Sequence, residues 1–189
     1  MATLIPTSRA GSVPGYAPAV RLLVASLAVV AVIGACSGDD ALPAPQPGPV
    51  QTVCLPEVCV DYPADWDIEL GADFISFTHP LGAAASVGRV DMQGVVASAG
   101  QTWPADAEET MQAFWALLDE LGEADLRAIA TTGDGIVDSE GTLDNMRLWH
   151  RLVMTTAPMA WGAELRGEDA SWSAHAAIIT GSLRLVGDP

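Results

Sequence analysis

Strict alternation of apolar and polar residues predicts that much of the chain folds as antiparallel β-strands. Trp66, Ile68 and Leu70 alternate with acidic residues, which is typical of a strand that buries one face. Turn residues such as Pro63-Ala64 separate this run from the one before it. Shorter runs predict further strands at residues 58–62, 74–78, 84–93, 126–130 and 136–139.

Two longer alternating runs predict a pair of strands nearer the C-terminus. In the first, Arg147, Trp149 and Arg151 share one face, and the other face carries Met146, Leu148, His150, Leu152 and Met154. In the second, Glu164 and Arg166 are expected to face solvent, opposite the buried side chains of Met159, Trp161, Ala163 and Leu165. Glu164 could pair across the strands with Arg147 or Arg151, at ~0.2–1 kcal/mol for such a surface interaction.

Helices are predicted between and after these strands. Asp106 is a suitable N-cap, Glu109 completes a capping box, and apolar residues then recur at helical spacing as far as Gly122. A last helix is expected from Asp169 to Ser182. The predicted fold class is α+β, an antiparallel sheet with helices packed on it.

The N-terminal segment has the pattern of an export signal. Arg9 and Arg21 are its only charges, and residues 22–33 are apolar except for one serine, which is too short for the roughly 20 residues of a membrane-spanning helix. The run Val32-Ile33-Gly34-Ala35-Cys36 then resembles the lipobox of bacterial lipoproteins. This resemblance implies that residues 1–35 are removed and that the Cys36 thiol carries diacylglycerol. An ordinary secretory leader is the alternative.

The expected mature protein is anchored and does not span the membrane. Two or three acyl chains, including a palmitate-type N-acyl group, hold a protein stably at a membrane. Because the leader is an export signal, we expect the protein to be anchored at the extracytoplasmic face of the cell membrane. Residues 36–52 are predicted to be a tether that is extended by alternating prolines. Residues 53–189 are predicted to form a single domain.

The two remaining cysteines are predicted to form a disulfide bond. Cys54 and Cys59 are an even pair in an exported chain, and the bridge would contribute ~2 kcal/mol by closing a short loop. Zinc needs more ligands than two thiolates, and a redox dithiol normally has two intervening residues.

The charge of the chain excludes some partners. The formal net charge of −16 becomes −18 once a leader with two arginines is removed, which argues against nucleic acid and against electrostatic binding to anionic lipid. All eight basic residues are arginine and alanine, glycine and proline are abundant, which suggests a GC-rich genome such as that of an actinobacterium.

Two short motifs and the order of elements resemble a known family. The domain opens with Tyr62-Pro63-Ala64-Asp65-Trp66 and closes with Ala177-Ile178-Ile179-Thr180-Gly181-Ser182-Leu183. This is similar to PsbP-like domains, including exported actinobacterial lipoproteins of the LpqN type. The resemblance implies an α/β/α sandwich and non-enzymatic work as a binding or accessory protein. It supplies no catalytic residue to carry over.

One strand face is the predicted binding surface. Trp149 lies between Arg147 and Arg151, and exposed tryptophan beside arginine is typical of binding hot spots. The ligand would be a protein or a small molecule. The alternative is that a helix or a crossover segment covers this face.

An esterase is the principal alternative function. Ala84-Ala85-Ser86-Val87-Gly88 approximates a nucleophile elbow, which needs a strand, a sharp turn and a helix, together with a histidine near Ser86. His79, His150 and His175 are the three candidates, and His150 and His175 could face one sheet–helix interface.

Calcium binding is a further alternative. The acidic segment with Asp134, Asp138, Glu140 and Asp144 does not have the spacing of an EF-hand. We therefore predict no metal ligand. We also predict no cofactor and no catalytic residue.

Overall fold

The order of elements follows the predicted strands closely. A computed structural model describes residues 44–103, 105–155 and 158–187, so the predicted leader and Cys36 lie outside the described residues. The elements are β1 (Val50–Cys54), β2 (Val58–Pro63), β3 (Asp67–Leu70), β4 (Phe74–Thr78), β5 (Ala84–Asp91), α1 (Met92–Ser98), α2 (Ala107–Leu121), β6 (Ala124–Gly133), β7 (Ile136–Leu143), β8 (Met146–Met154), β9 (Met159–Gly167), a 3₁₀ turn (Ala170–Trp172), α3 (Ser173–Ile179) and β10 (Arg184–Leu185).

Most of these strands form one large antiparallel sheet. Its seven strands have the order β3-β4-β5-β9-β8-β7-β6, and β1, β2 and β10 form a separate three-stranded sheet. Every pairing in both sheets is antiparallel. The predicted α+β class is therefore confirmed.

Both faces of the large sheet are covered, each by its own apolar core. On the first face, which we call the α2 face, side chains such as Leu148 and Leu152 pack with α1 and α2. On the second, the α3 face, Ala163 and Leu165 pack with the small sheet and α3. Within the described residues, no helix has the length and apolar character needed to cross a membrane.

The predicted capping box is present at the start of α2. The Glu109 N–H donates to Asp106 Oδ1 at 2.8 Å, and the Asp106 N–H donates to Glu109 Oε2 at 3.0 Å. Gly122 is the C-cap residue. The last predicted helix is shorter than expected, because the turn at Asp169 leads into 3₁₀ geometry and α3 ends at Ile179.

The α1 helix was not predicted. The strand expected over residues 84–93 ends at Asp91, whose carboxylate accepts the Gly94 N–H at 3.1 Å and so caps a helix. Met92, Val95 and Val96 of this helix are buried against α2 and the sheet.

The predicted disulfide is confirmed at the β1–β2 hairpin. Cys54 and Cys59 lie opposite each other, with Cα atoms 4.1 Å apart. The strand before them begins at Val50, three residues inside the segment predicted to be tether. The folded domain therefore begins earlier than residue 53.

Two predictions about buried faces are wrong. Ile68 and Leu70 were expected to be buried but are 40% and 57% exposed, because β3 is the outermost strand of its sheet. Glu164 was expected in solvent but is only 3% exposed. It lies opposite His150 on the α2 face, and paired residues of antiparallel strands point to the same side. It therefore cannot reach Arg147 or Arg151, which both project from the other face.

A candidate ligand cleft

A cleft of about 460 Å³ lies on the α3 face, between α3 and the strands β6, β7 and β8. Trp149 and Arg151 of β8 line its floor, so two of the three predicted binding residues share one cavity. Ala128 and Ala130 form the wall on the β6 side, and Ala177 of α3 stands on the other. The cleft is open at the surface, and the small side chains on both walls leave space above its floor.

The register of the strands places an arginine brace in the floor. Ala130, Asp138 and Arg151 are directly paired across β6, β7 and β8. Arg151 grips Asp138 with two nitrogens, at 2.6 and 2.8 Å, and its third nitrogen donates to the Gly181 carbonyl at 2.6 Å. Charge-assisted bonds of this forked kind are strong and directional. Arg151 therefore joins the sheet to the end of α3, and each of its three guanidinium nitrogens already donates one hydrogen bond.

The next row of the sheet carries the tryptophan. Ala128, Glu140 and Trp149 are directly paired across the same three strands. Trp149 is half-buried, since it packs on the core of the α3 face and also lines the cleft. The face was predicted to be either open for binding or covered by a helix or crossover segment. Each holds in part, because α3 covers part of this face and leaves the cleft open.

Arg147, the third predicted binding residue, lies outside the cleft lining. Its Nη2 is 3.2 Å from Glu140 Oε1, and Glu140 does line the cleft. Its Nη1 is buried without a hydrogen-bond partner among the described residues. Arg147 therefore holds a carboxylate that the ligand would meet.

Several cleft residues carry no signal in the sequence. Small residues line the cavity and leave space in it, namely Ala128, Ala130, Ala177 and Gly181. Small neutral residues have no chemical signature, and α3 reaches the sheet only through tertiary packing. The cleft could be found only once the position of α3 was known.

The geometry expected of an esterase is absent from the described residues. Ser86 lies within the eight-residue strand β5, with no sharp turn after it, and its hydroxyl donates to Glu164 Oε1 at 3.3 Å. Its neighbour across two strands, His150, makes no hydrogen bond. His79 and His175 bond to other groups.

His150 is enclosed on the α2 face. It is 2% exposed, its ring centroid lies 4.5 Å from that of Phe114, and neither ring nitrogen has a partner within the described part of the chain. Burial, with the nearby Arg166 guanidinium, lowers its pKa to about 3, so the ring is neutral at physiological pH. The idea that His150 and His175 meet is wrong, because His175 packs among residues of the α3 face.

The four acids considered for calcium do not converge. Asp138 and Glu140 are held by arginines, and Asp144 accepts the Glu123 N–H at 3.1 Å. Asp134 precedes the strand that Asp144 follows, so roughly 30 Å separates them at about 3.3 Å per residue. Among the described residues, no three aspartate, glutamate, histidine or cysteine side chains form a metal-binding group.

Comparison with models of known protein families and with curated protein sequences finds no match. A function for this chain is therefore supported only by the lipobox, the fold and the geometry of the cleft. Cys36, on which the predicted localisation depends, lies outside the described residues.

Proposed function

We propose that this chain is a lipoprotein of the cell envelope, anchored through lipid on Cys36, whose domain binds a ligand without catalysis. The observation that carries the binding role is the cleft between α3 and the outer strands, with Trp149 in its floor. The lipobox residues and the short apolar segment before them support the anchor. The ligand lies on the extracytoplasmic side of the cell membrane in this proposal.

The cleft has the size and lining of a binding site. Its volume of about 460 Å³ falls within the roughly 300–1,000 Å³ of small-molecule sites, which are mostly apolar with a few placed polar groups. Here the Trp149 ring offers an apolar surface, and the Glu140 carboxylate stands beside it. The Arg151 brace keeps the floor and α3 in register. A site built on strands and braced by hydrogen bonds is rigid before ligand arrives.

The proposed fold type is PsbP-like. The features that favour it are the opening hairpin, the meander of strands, the helix before the long antiparallel strands and the closing helix. The two covered faces of the large sheet also agree with a layered sandwich. In that family the resemblance implies binding or accessory work, which agrees with a domain that carries a cleft.

The binding role can be tested by site-specific photocrosslinking in cells. A photoreactive phenylalanine analogue at Ala177 projects from the exposed wall of the cleft, whereas the same analogue at the exposed Ala116 projects from α2 on the other side of the sheet. We expect adducts at position 177 and a background level at position 116. The mass of the adduct then separates a protein partner from a small ligand.

A floor substitution sharpens the same test. Trp149→Ala in the Ala177 probe background is expected to lower adduct yield roughly tenfold, since aromatic packing worth ~1.4 kcal/mol changes an equilibrium by that factor. Thermal melting checks that the domain remains folded. Equal labelling at positions 116 and 177, or full yield after Trp149→Ala, would contradict a binding role for the cleft.

A further inference from the structure

The end of the predicted tether is bound to the domain. Residues 44–49, which we call the strap, run over it before β1 begins. His175 Nε2 lies 3.3 Å from the Pro45 carbonyl oxygen, and the Gly48 N–H donates to Asp65 Oδ1 at 3.4 Å. The Pro49 carbonyl accepts the Ala64 N–H at 2.8 Å. The strap is therefore fastened by side chains that can change their charge.

His175, the ring that contacts the strap, belongs to a cluster of four aromatic rings. Trp66, His79, Trp172 and His175 are all less than 8% exposed, and their centroids lie 4.9–6.0 Å apart. They come from the β2–β3 turn, the end of β4, the 3₁₀ turn and α3. The strap is thus connected to several elements that are far apart in the chain.

The hydrogen bonds determine the protonation of His175. Its Nδ1 accepts the Trp66 indole N–H at 3.0 Å, so the proton of the neutral ring is on Nε2, where it donates to the Pro45 carbonyl. The same reasoning applies to His79, whose Nδ1 accepts the Leu81 N–H and whose Nε2 donates to Asp65. Neutral His175 therefore satisfies the tryptophan and the strap together.

We infer that the strap is an acid-released fastening between the anchor side of the chain and α3. A second proton on His175 would sit on Nδ1, directly against the Trp66 indole N–H at a 3.0 Å separation. Two donors cannot share that contact, so the charged ring leaves its position. The Pro45 carbonyl then loses its partner and the strap detaches at its Pro45 end, while Gly48 and Pro49 stay bonded to Asp65 and Ala64.

The groups around His175 determine the pH at which its second proton binds and the strap is released. The titratable residues that face it are His79 and Asp65. Burial lowers the pKa of His175, the Pro45 carbonyl and Asp65 oppose that shift, and His79 adds to it. Burial raises the pKa of Asp65, but hydrogen bonds from His79, its own backbone and Gly48 outweigh this and lower it overall. Asp65 therefore remains ionised while His175 takes up its proton.

Release would lengthen the spacer of an anchored protein. The four residues 44–47 at about 3.1 Å each in an extended proline-rich conformation add roughly 12 Å of reach. This consequence rests on the proposed lipid anchor at Cys36, whereas the fastening itself does not. Failure of the anchor would leave the strap test below unchanged.

Hydrogen exchange in the detergent-extracted protein tests the fastening by NMR. The buried Trp66 indole N–H donates directly to His175 Nδ1, so its protection factor, corrected for intrinsic exchange, is expected to fall at least ~10-fold between pH 7 and pH 4. The amides of β9 serve as the control and should remain protected at both pH values, which separates local release from unfolding. A Trp66 indole N–H that stays protected at pH 4 would overturn the inference.

A variant assigns the effect to His175. Glutamine at this position can accept from Trp66 and donate to Pro45 but cannot ionise, so His175→Gln should keep the Trp66 indole N–H protected at pH 4. Loss of that protection in His175→Gln at pH 4 would refute the role of His175.

Discussion

A Glu164→Leu variant is expected to unfold with a free energy about 3–5 kcal/mol lower than that of the wild-type domain. Glu164 is 3% exposed and lies 3.3 Å from Arg166 Nη2. The Arg166 side chain is itself only 12% exposed, and its Nε has no hydrogen-bond partner within the described part of the chain. Removing the carboxylate leaves this cation buried and unpaired, which is the costly half of a broken buried ion pair.

Urea unfolding at neutral pH measures this effect, with the double variant as its control. In Glu164→Leu/Arg166→Leu the stranded charge is gone, so most of the lost stability should return. The two effects are therefore expected to be strongly non-additive. A single Glu164→Leu variant as stable as wild type, or additive losses in the double variant, would show that the pair is screened by solvent.

Acid is expected to destabilise the domain by about 2 kcal/mol between pH 7 and pH 5 through His150 alone. Its pKa falls from 6.5 to about 3 on folding, chiefly because the ring is buried. Between pH 6.5 and pH 3, His150 is therefore protonated in the unfolded chain but neutral in the folded domain. The free energy of unfolding falls as the pH drops below 6.5. Each unit of this difference is worth ~1.4 kcal/mol.

His150→Leu isolates this contribution, since leucine has a similar volume and no charge to gain. The free energy of unfolding is measured by urea titration at each pH. From pH 7 to pH 5 it should fall by about 2 kcal/mol less in the variant than in the wild type. At pH 7 the variant should be ~1–3 kcal/mol more stable, because two buried nitrogens without partners are removed. An unchanged slope would mean that His150 remains neutral in both states or is solvated when folded.

Alternation predicted the strands well but misjudged burial in β3 and at Glu164. The faces of β8 follow the expected period of two, with Leu148 and Leu152 buried. The error at Glu164 comes from assuming that one sheet face meets solvent. Here helices cover the α2 face while the small sheet and α3 cover the other, so a charged residue can lie in either layer.

Tertiary packing explains the other misses. A glycine and two valines make the segment from Met92 to Val96 a poor helix former by itself, yet burying Met92 and both valines against α2 outweighs that preference. The cleft depends on the place where α3 packs, which no local pattern encodes. Arg151 was found from the sequence as a charged neighbour of Trp149, but its role as a brace depends on Gly181, thirty residues away.

The intact mass of the protein extracted from membranes tests the anchored identity most directly. The expected mass is that of residues 36–189 with a diacylglyceryl group on Cys36 and an N-acyl chain, less two hydrogens for the Cys54–Cys59 bond. A Cys36→Ala variant should carry no lipid and should leave the membrane fraction unless its leader is retained uncleaved. An unmodified Cys36, or a full-length chain that still includes residues 1–35, would contradict the lipoprotein assignment.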